Sequence, residues 1–165
     1  MTHDKTPNQP CCPEFDPEPW DRKTLVWQDK PFIRDSIPEF LHIPWPPMVG
    51  KVMGRLWKKA EEAGAAPELK DFLCLAYDPS PWKCEFHLAV TKEVPGADNV
   101  KLSGTFLTRV FDGPCNAVPK WIKEMDHYVA EQSKRVQKYY FHYTTCPKCA
   151  KLRGHNYVVA FAQVE

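Results

Sequence analysis

An excess of either charge is missing from this chain: 22 basic side chains stand against 21 acidic ones, leaving a net charge of +1. No global field therefore steers it toward nucleic acid or an anionic membrane surface, and no helix-turn-helix segment supplies a DNA-reading element. Long hydrophobic runs are missing too, since no stretch approaches the roughly 18 to 20 apolar residues that a membrane-spanning helix needs. Met1 to Pro10 is polar and lacks an apolar core, so no secretory signal is expected. Nucleophile elbow, phosphate-cradling glycine loop and catalytic-triad order are all absent, which leaves the familiar hydrolase signatures without support. The cysteine count is odd, at seven. Without an export signal, reduced thiols in a cytoplasmic protein are the economical expectation.

What is present is a chain able to bury a substantial core. It has 165 residues, 43% of them hydrophobic and 13% aromatic, which excludes a disordered polymer and suits one domain or two half-domains sharing an interior. The central signal is Leu102 to Cys115. Phe106, Thr108 and Val110 alternate with Leu107, Arg109 and Phe111, the period of a β-strand. Asp112-Gly113-Pro114 ends it, and Val118, Trp121, Ile122, Met125, Tyr128 and Val129 follow at helical spacing. The same order occurs upstream: Phe40-Leu41-His42-Ile43, then Pro44-Trp45-Pro46-Pro47, then Val49, Val52, Met53, Leu56, Trp57 and Ala60. Two strand-like runs follow each helix, Asp71–Tyr77 and Cys84–Val90 in one half, Val136–Tyr143 and Asn156–Val164 in the other. The expected fold class is α+β, with duplicated βαββ units, antiparallel sheets, one helix per half and a ligand cleft between the halves.

Gly104-Thr105-Phe106, Phe111-Asp112-Gly113-Pro114, the helix carrying Trp121 and the repeated βαββ order resemble the GyrI-like small-molecule-binding family. The resemblance covers roughly Lys30 to Glu165. It implies capture of small lipophilic, cationic or xenobiotic molecules, either as a pure binder or as a hydrolase that opens reactive rings. A multidrug-binding cleft is the site it implies. One departure is visible: Cys115 stands where the family usually has an aromatic after the Gly-Pro.

Residues 1–23 are expected to form a Pro- and Cys-rich arm, with Met1 to Gln9 mobile and Cys11 to Trp20 draped over the fold. The resemblance implies a GyrI-like domain over residues 24–165, its first half about 30–94 and its second about 100–165. Lys23–Trp27 is predicted as a short edge strand and Phe32–Ile43 as a separate strand broken near Pro38. In Cys84–Val90, Cys84, Phe86, Leu88 and Val90 share one face, and Glu85, His87 and Ala89 share the other.

The expected ligand-binding residues are Glu85, His87, Trp45, Tyr77, Trp82, Phe106, Tyr139, His142 and Tyr143, since aromatic faces hold flat or cationic molecules by area burial and ring quadrupoles. Any one of these rings taken singly reads as ordinary core, whereas several together favour a cleft. The family resemblance puts an acidic residue of the binding cleft at Glu85, where it can pair with a cation or act as general base toward water; Tyr140, or Tyr139 or Tyr143, would assist a leaving oxygen. The alternative for Glu85 is a solvated edge-strand carboxylate. Cys146-Pro147-Lys148-Cys149 in the last hairpin is half of a zinc knuckle. His155, Cys11 and Cys12 are the candidates for the remaining ligands, in competition with a redox dithiol and with locally packed thiols. No cofactor is required. A protein-interaction module using the Cys-rich hairpin and the arm is the alternative from another class, and a zinc- or redox-linked sensor a third.

Overall fold

The computed structural model describes residues 12, 14–44, 46–145 and 147–165, excepting the side chains of Pro46, Cys115, Pro147 and Lys148. Cys11, Trp45 and Cys146, and the segment Met1 to Gln9, lie outside the described residues. The elements in chain order are β1 (Lys23–Phe40), β2 (Ile43–Pro44), α1 (Pro46–Glu62), β3 (Cys74–Ser80), β4 (Lys83–Ala89), β5 (Asp98–Asp112), α2 (Val118–Glu131), β6 (Val136–Tyr143), α3 (Pro147–Arg153) and β7 (Tyr157–Val164). Six strands close on themselves in the order β1-β4-β3-β6-β7-β5, with β5 pairing back to β1. Every pairing is antiparallel. The class is sheet-dominated α+β, organised as a six-stranded antiparallel barrel.

Closure is the work of β1, and here the structure departs from the sequence pattern. The predicted edge strand and its neighbour are one strand, paired with β5 along Lys23–Arg34 and with β4 along Phe32–Pro38. A register shift between Trp27 and Lys30 breaks the alternation. Asp29 takes a left-handed φ of 51° there, and its N–H donates to Ser103 Oγ at 2.8 Å. Such bulges bend a strand and increase its twist, which a closing barrel requires. Across the bulge, Gly104 pairs with Trp27 at a φ of 139°. A Cβ on Gly104 would stand 3.0 Å from Gln163 Nε2.

Alternation along the strands sorts the apolar residues into three packed groups. Val52, Leu56 and Ala60 of α1 cover Ile33, Ile37, Cys84, Phe86 and Leu88. Trp121, Met125 and Val129 of α2 cover Leu107, Phe111, Val158, Ala160 and Ala162. The third group fills the barrel: Phe32, Leu75, Phe106, Tyr140, Val159 and Phe161, with Phe15, Trp20 and Trp27 packed against them. Burying each large side chain of this kind contributes roughly 1.5 to 3 kcal/mol.

The arm is part of this packing. The Trp20 ring lies 5.9 Å from Phe161, edge on; Thr108 Oγ1 donates to the Trp20 carbonyl, and the Val110 N–H donates to Asp21 Oδ1 at 3.0 Å. The last hairpin, whose Cys-x-x-Cys was expected in its loop, contains α3. Proline at its first position and Lys151 and Arg153 in its last turn suit a short helix.

Candidate functional site

Strand β4 aims Glu85 and His87 into the barrel because Cys84, Phe86 and Leu88 are taken by the face under α1. Cross-strand pairing then sets their neighbours. Glu85 stands opposite Ser36 of β1 and Tyr77 of β3, and His87 opposite Arg34 and Leu75. From the adjoining strand, Tyr140 places its ring 5.3 Å from Tyr77 and 5.8 Å from His87, edge on. The Glu85 side chain is 14% exposed, with Arg34 Nη1 at 3.9 Å from Oε2, Lys83 Nζ at 3.7 Å from Oε1 and His87 Nε2 at 4.0 Å from Oε2. A mostly buried carboxylate thus sits at the barrel rim among two tyrosines, a histidine and two cations.

The electrostatics of the neighbours follow from burial. Desolvation, with Tyr77 and the Glu85 carboxylate close by, pushes the Tyr140 phenol up to about 12, so the hydroxyl stays protonated at neutral pH and remains a hydrogen-bond donor. Desolvation draws His87 down to about 4 against the smaller pull of Glu85. The His87 ring is therefore neutral at pH 7, and its Nδ1 has no hydrogen-bond partner among the described residues. Behind these groups lies an aromatic wall: Trp27 is 4.5 Å from Phe106 and 5.8 Å from both Phe32 and Phe161. The chain's own ammonium groups rest on this lining, Lys30 Nζ 5.6 Å from the Trp27 ring centre and Lys138 Nζ 5.2 Å from that of Tyr77. Faces that hold a lysine in this way suit a ligand cation.

The structure brings Glu85, His87, Tyr77, Tyr140 and Phe106 into one cluster of neighbouring side chains. Tyr139 belongs to the opposite face of β6, packed toward α2, where its hydroxyl donates to Asp126. Tyr143 shares that parity and is 36% exposed. His142 faces inward but lies toward the arm, with Trp20 at 6.5 Å and Phe72 at 6.0 Å. Trp82 stands on the β3–β4 turn, 56% exposed, against Phe40 at 5.6 Å. Sequence reading missed Arg34, Trp27 and Lys138. Their own pattern carried no signal, because each reaches the site only through pairing with strands distant in the chain.

Among the cysteine and histidine candidates, Cys12 N–H donates to Cys149 Sγ at 3.3 Å, and Arg153 Nη2 donates to the Cys12 carbonyl at 2.6 Å. The arm therefore meets α3. His155 turns to Asp112, Nδ1 to Oδ2 at 2.7 Å, and stacks on Tyr157. A cleft of about 560 Å³ lies beside this junction, lined by Glu14, Phe15, Thr145, Arg153, His155 and Tyr157. Cys74 and Cys84 are buried among apolar neighbours, and burial pushes the Cys74 thiol up to about 12.

The family described as Bacterial hydrolase matches residues 2–164. Among curated proteins, none matches the sequence. In fold, the chain is similar to the EcmrR C-terminal domain, with a TM-score of 0.66 and 12% identity over 88% of this chain and 98% of that one. An uncharacterized conserved protein from Listeria innocua aligns with a TM-score of 0.63 and 10% identity, over 88% of this chain and 92% of that one. SAV2435 bound to tetraphenylphosphonium aligns with a TM-score of 0.53 and 11% identity, over 88% of this chain and 94% of that one. The EcmrR C-terminal domain and SAV2435 have GyrI-like small-molecule-binding folds, the fold that the strand and turn motifs resembled. Among the described residues, no helix is long and apolar enough to cross a membrane.

Proposed function

The chain belongs to the bacterial hydrolase family, and from that premise we propose that it captures small lipophilic or cationic molecules at the Glu85 rim of its barrel and hydrolyses those that carry a reactive ring. We read β1-α1-β3-β4 and β5-α2-β6-β7 as two βαββ halves that share this interior. The observation that carries the reading is Glu85 itself, inward-facing and mostly buried beside Tyr77 and Tyr140. A carboxylate so placed draws a proton from water as the water oxygen bonds to a ring carbon. The ring bond breaks with its electron pair going to the leaving oxygen, and the Tyr140 hydroxyl supplies the proton. Solvent exchange then returns the proton from Glu85 to Tyr140. The aromatic wall holds the substrate by area and excludes bulk water.

The test is a set of titrations and turnover assays on the full chain with tetraphenylphosphonium as binding probe and a panel of epoxide-bearing compounds as substrates. Glu85→Gln is expected to weaken the cationic probe at least tenfold and to abolish turnover. Tyr140→Phe is expected to keep probe binding and to lower kcat by about 100-fold, the scale of one proton-transfer group. Probe binding without turnover of any compound would leave a binder and refute the hydrolase; no binding and no turnover in the parent would refute both.

A protein-interaction module is the second reading, favoured by the exposed Phe40, Leu41, Ile43 and Trp82 at one end of the barrel, a larger apolar display than isolated surface residues make. Under that reading Trp82→Lys abolishes association with a partner and leaves probe binding at Glu85 unchanged.

A further inference from the structure

The hairpin at the end of β1 crosses the β3–β4 turn, and three metal-ligating side chains converge where they meet. Two backbone hydrogen bonds clasp the turns: Glu39 N–H to the Trp82 carbonyl at 2.9 Å and His42 N–H to the Pro81 carbonyl at 3.0 Å. The β1–β2 turn is built from Leu41 and His42 at left-handed φ values of 49° and 66°, a conformation usually given to Asn-Gly. It turns the His42 ring back toward the sheet, where Nδ1 stands 3.2 Å from Asp78 Oδ2 and 3.9 Å from Glu39 Oε1.

Glu39 makes the cluster more than a group of surface charges. Its side chain is 0% exposed, and neither carboxylate oxygen has a hydrogen-bond partner among the described residues. A carboxylate so buried is costly to keep charged, and desolvation together with the Asp78 carboxylate beside it pushes the Glu39 carboxyl up to about 7. One ligand atom from each of Glu39, His42 and Asp78 lies within 4.8 Å of the other two. Ligand atoms about 2.1 Å from a tetrahedral ion stand about 3.4 Å apart, so small side-chain rotations close the set.

We propose that Glu39, His42 and Asp78 bind one divalent transition ion of the zinc class, on an imidazole nitrogen and two carboxylate oxygens, with a coordination position left open. The donor set matches borderline ions, to which imidazole and carboxylate both bind, and the two negative charges balance a dication. The ion locks the β1–β2 turn onto the β3–β4 turn. This site is separate from the cysteines at the arm and α3, and separate from Glu85, so its fate and that of the hydrolase reading are independent.

Cobalt(II) is the probe, titrated into the chelator-stripped full chain and followed by visible absorption and by thermal melting. Parent and Cys149→Ser are both expected to bind one equivalent at this site with weak d–d bands and to melt at a higher temperature with the ion. Asp78→Asn and Glu39→Gln are expected to weaken that binding at least tenfold, a loss no smaller than outer-shell changes cause. Asp78 lies near the end of β3 with its side chain 34% exposed, so Asp78→Asn keeps the test decisive if Glu39→Gln fails to fold by circular dichroism. The proposal is overturned if no ion binds, if Asp78→Asn binds like the parent, or if the only signal is a strong sulfur-to-cobalt band that Cys149→Ser removes.

Discussion

At His87 and His142 burial outweighs every other influence on the charge state. His142 Nδ1 lies 3.1 Å from the Cys74 carbonyl oxygen and 3.3 Å from its amide nitrogen, and desolvation holds the ring down to about 4, the same level as His87. A base whose folded pKa lies below its unfolded value of about 6.5 binds fewer protons when native. Stability is therefore complete above pH 6.5 and is lost as the pH falls from there to about 4. For shifts of this size the loss is on the order of 3 kcal/mol for each ring. Urea unfolding at a series of pH values checks this, and His142→Phe is expected to flatten the slope on that interval by about half. A stability independent of pH between 7 and 5 would mean that the rings are not held neutral.

At the scale of the element, β1 is the strand on which the fold depends. Its bulge faces Gly104, whose φ of 139° is one that residues with a Cβ rarely adopt. The Gln163 side chain that an added Cβ would meet, 3.0 Å away, is polar and can rotate, so backbone strain is the larger cost. Gly104→Ala is expected to destabilise by about 1 to 3 kcal/mol, measured by chemical denaturation with an unchanged slope. The arm behaves as a further element rather than a tail. Trp20 and Phe15 pack against the barrel interior, whereas the sequence offered only prolines and stray aromatics to suggest it. On α3, proline at the first helical position was readable, but a predicted turn and a two-turn helix differ only by local hydrogen bonds.

For the whole molecule, closure makes the two halves of the chain interdependent. β1 pairs with both β4 and β5, so the first half lacks a partner for the Lys23–Trp27 stretch when it is alone. Unfolding is expected to be one cooperative transition, with tryptophan fluorescence and circular dichroism coincident. A fragment of residues 1–96 is expected to lack native sheet content by circular dichroism. A folded fragment would show that the halves are separate domains. The barrel also explains why the candidate site was half legible. Alternation along Cys84–Val90 put Glu85 and His87 on one face, and the family resemblance singled out Glu85. Tyr139 and Tyr140 were indistinguishable in that pattern, being neighbours in one aromatic strand; only the choice of which face meets α2 separated them.

The sequence by itself determined the strand-turn-helix order, the faces of α1, α2 and β4, and the α+β class, because periodicity of 2 or 3.6 residues is a local property that burial enforces. Tertiary structure decided what depends on pairing between distant segments. It closed the barrel through β1, brought Arg34 to Glu85 and Trp27 to Phe106, drew the arm over Phe161 and set Glu39 against His42 and Asp78. Strand partners and register are fixed by the summed fit of whole faces, and no single stretch of chain carries that sum.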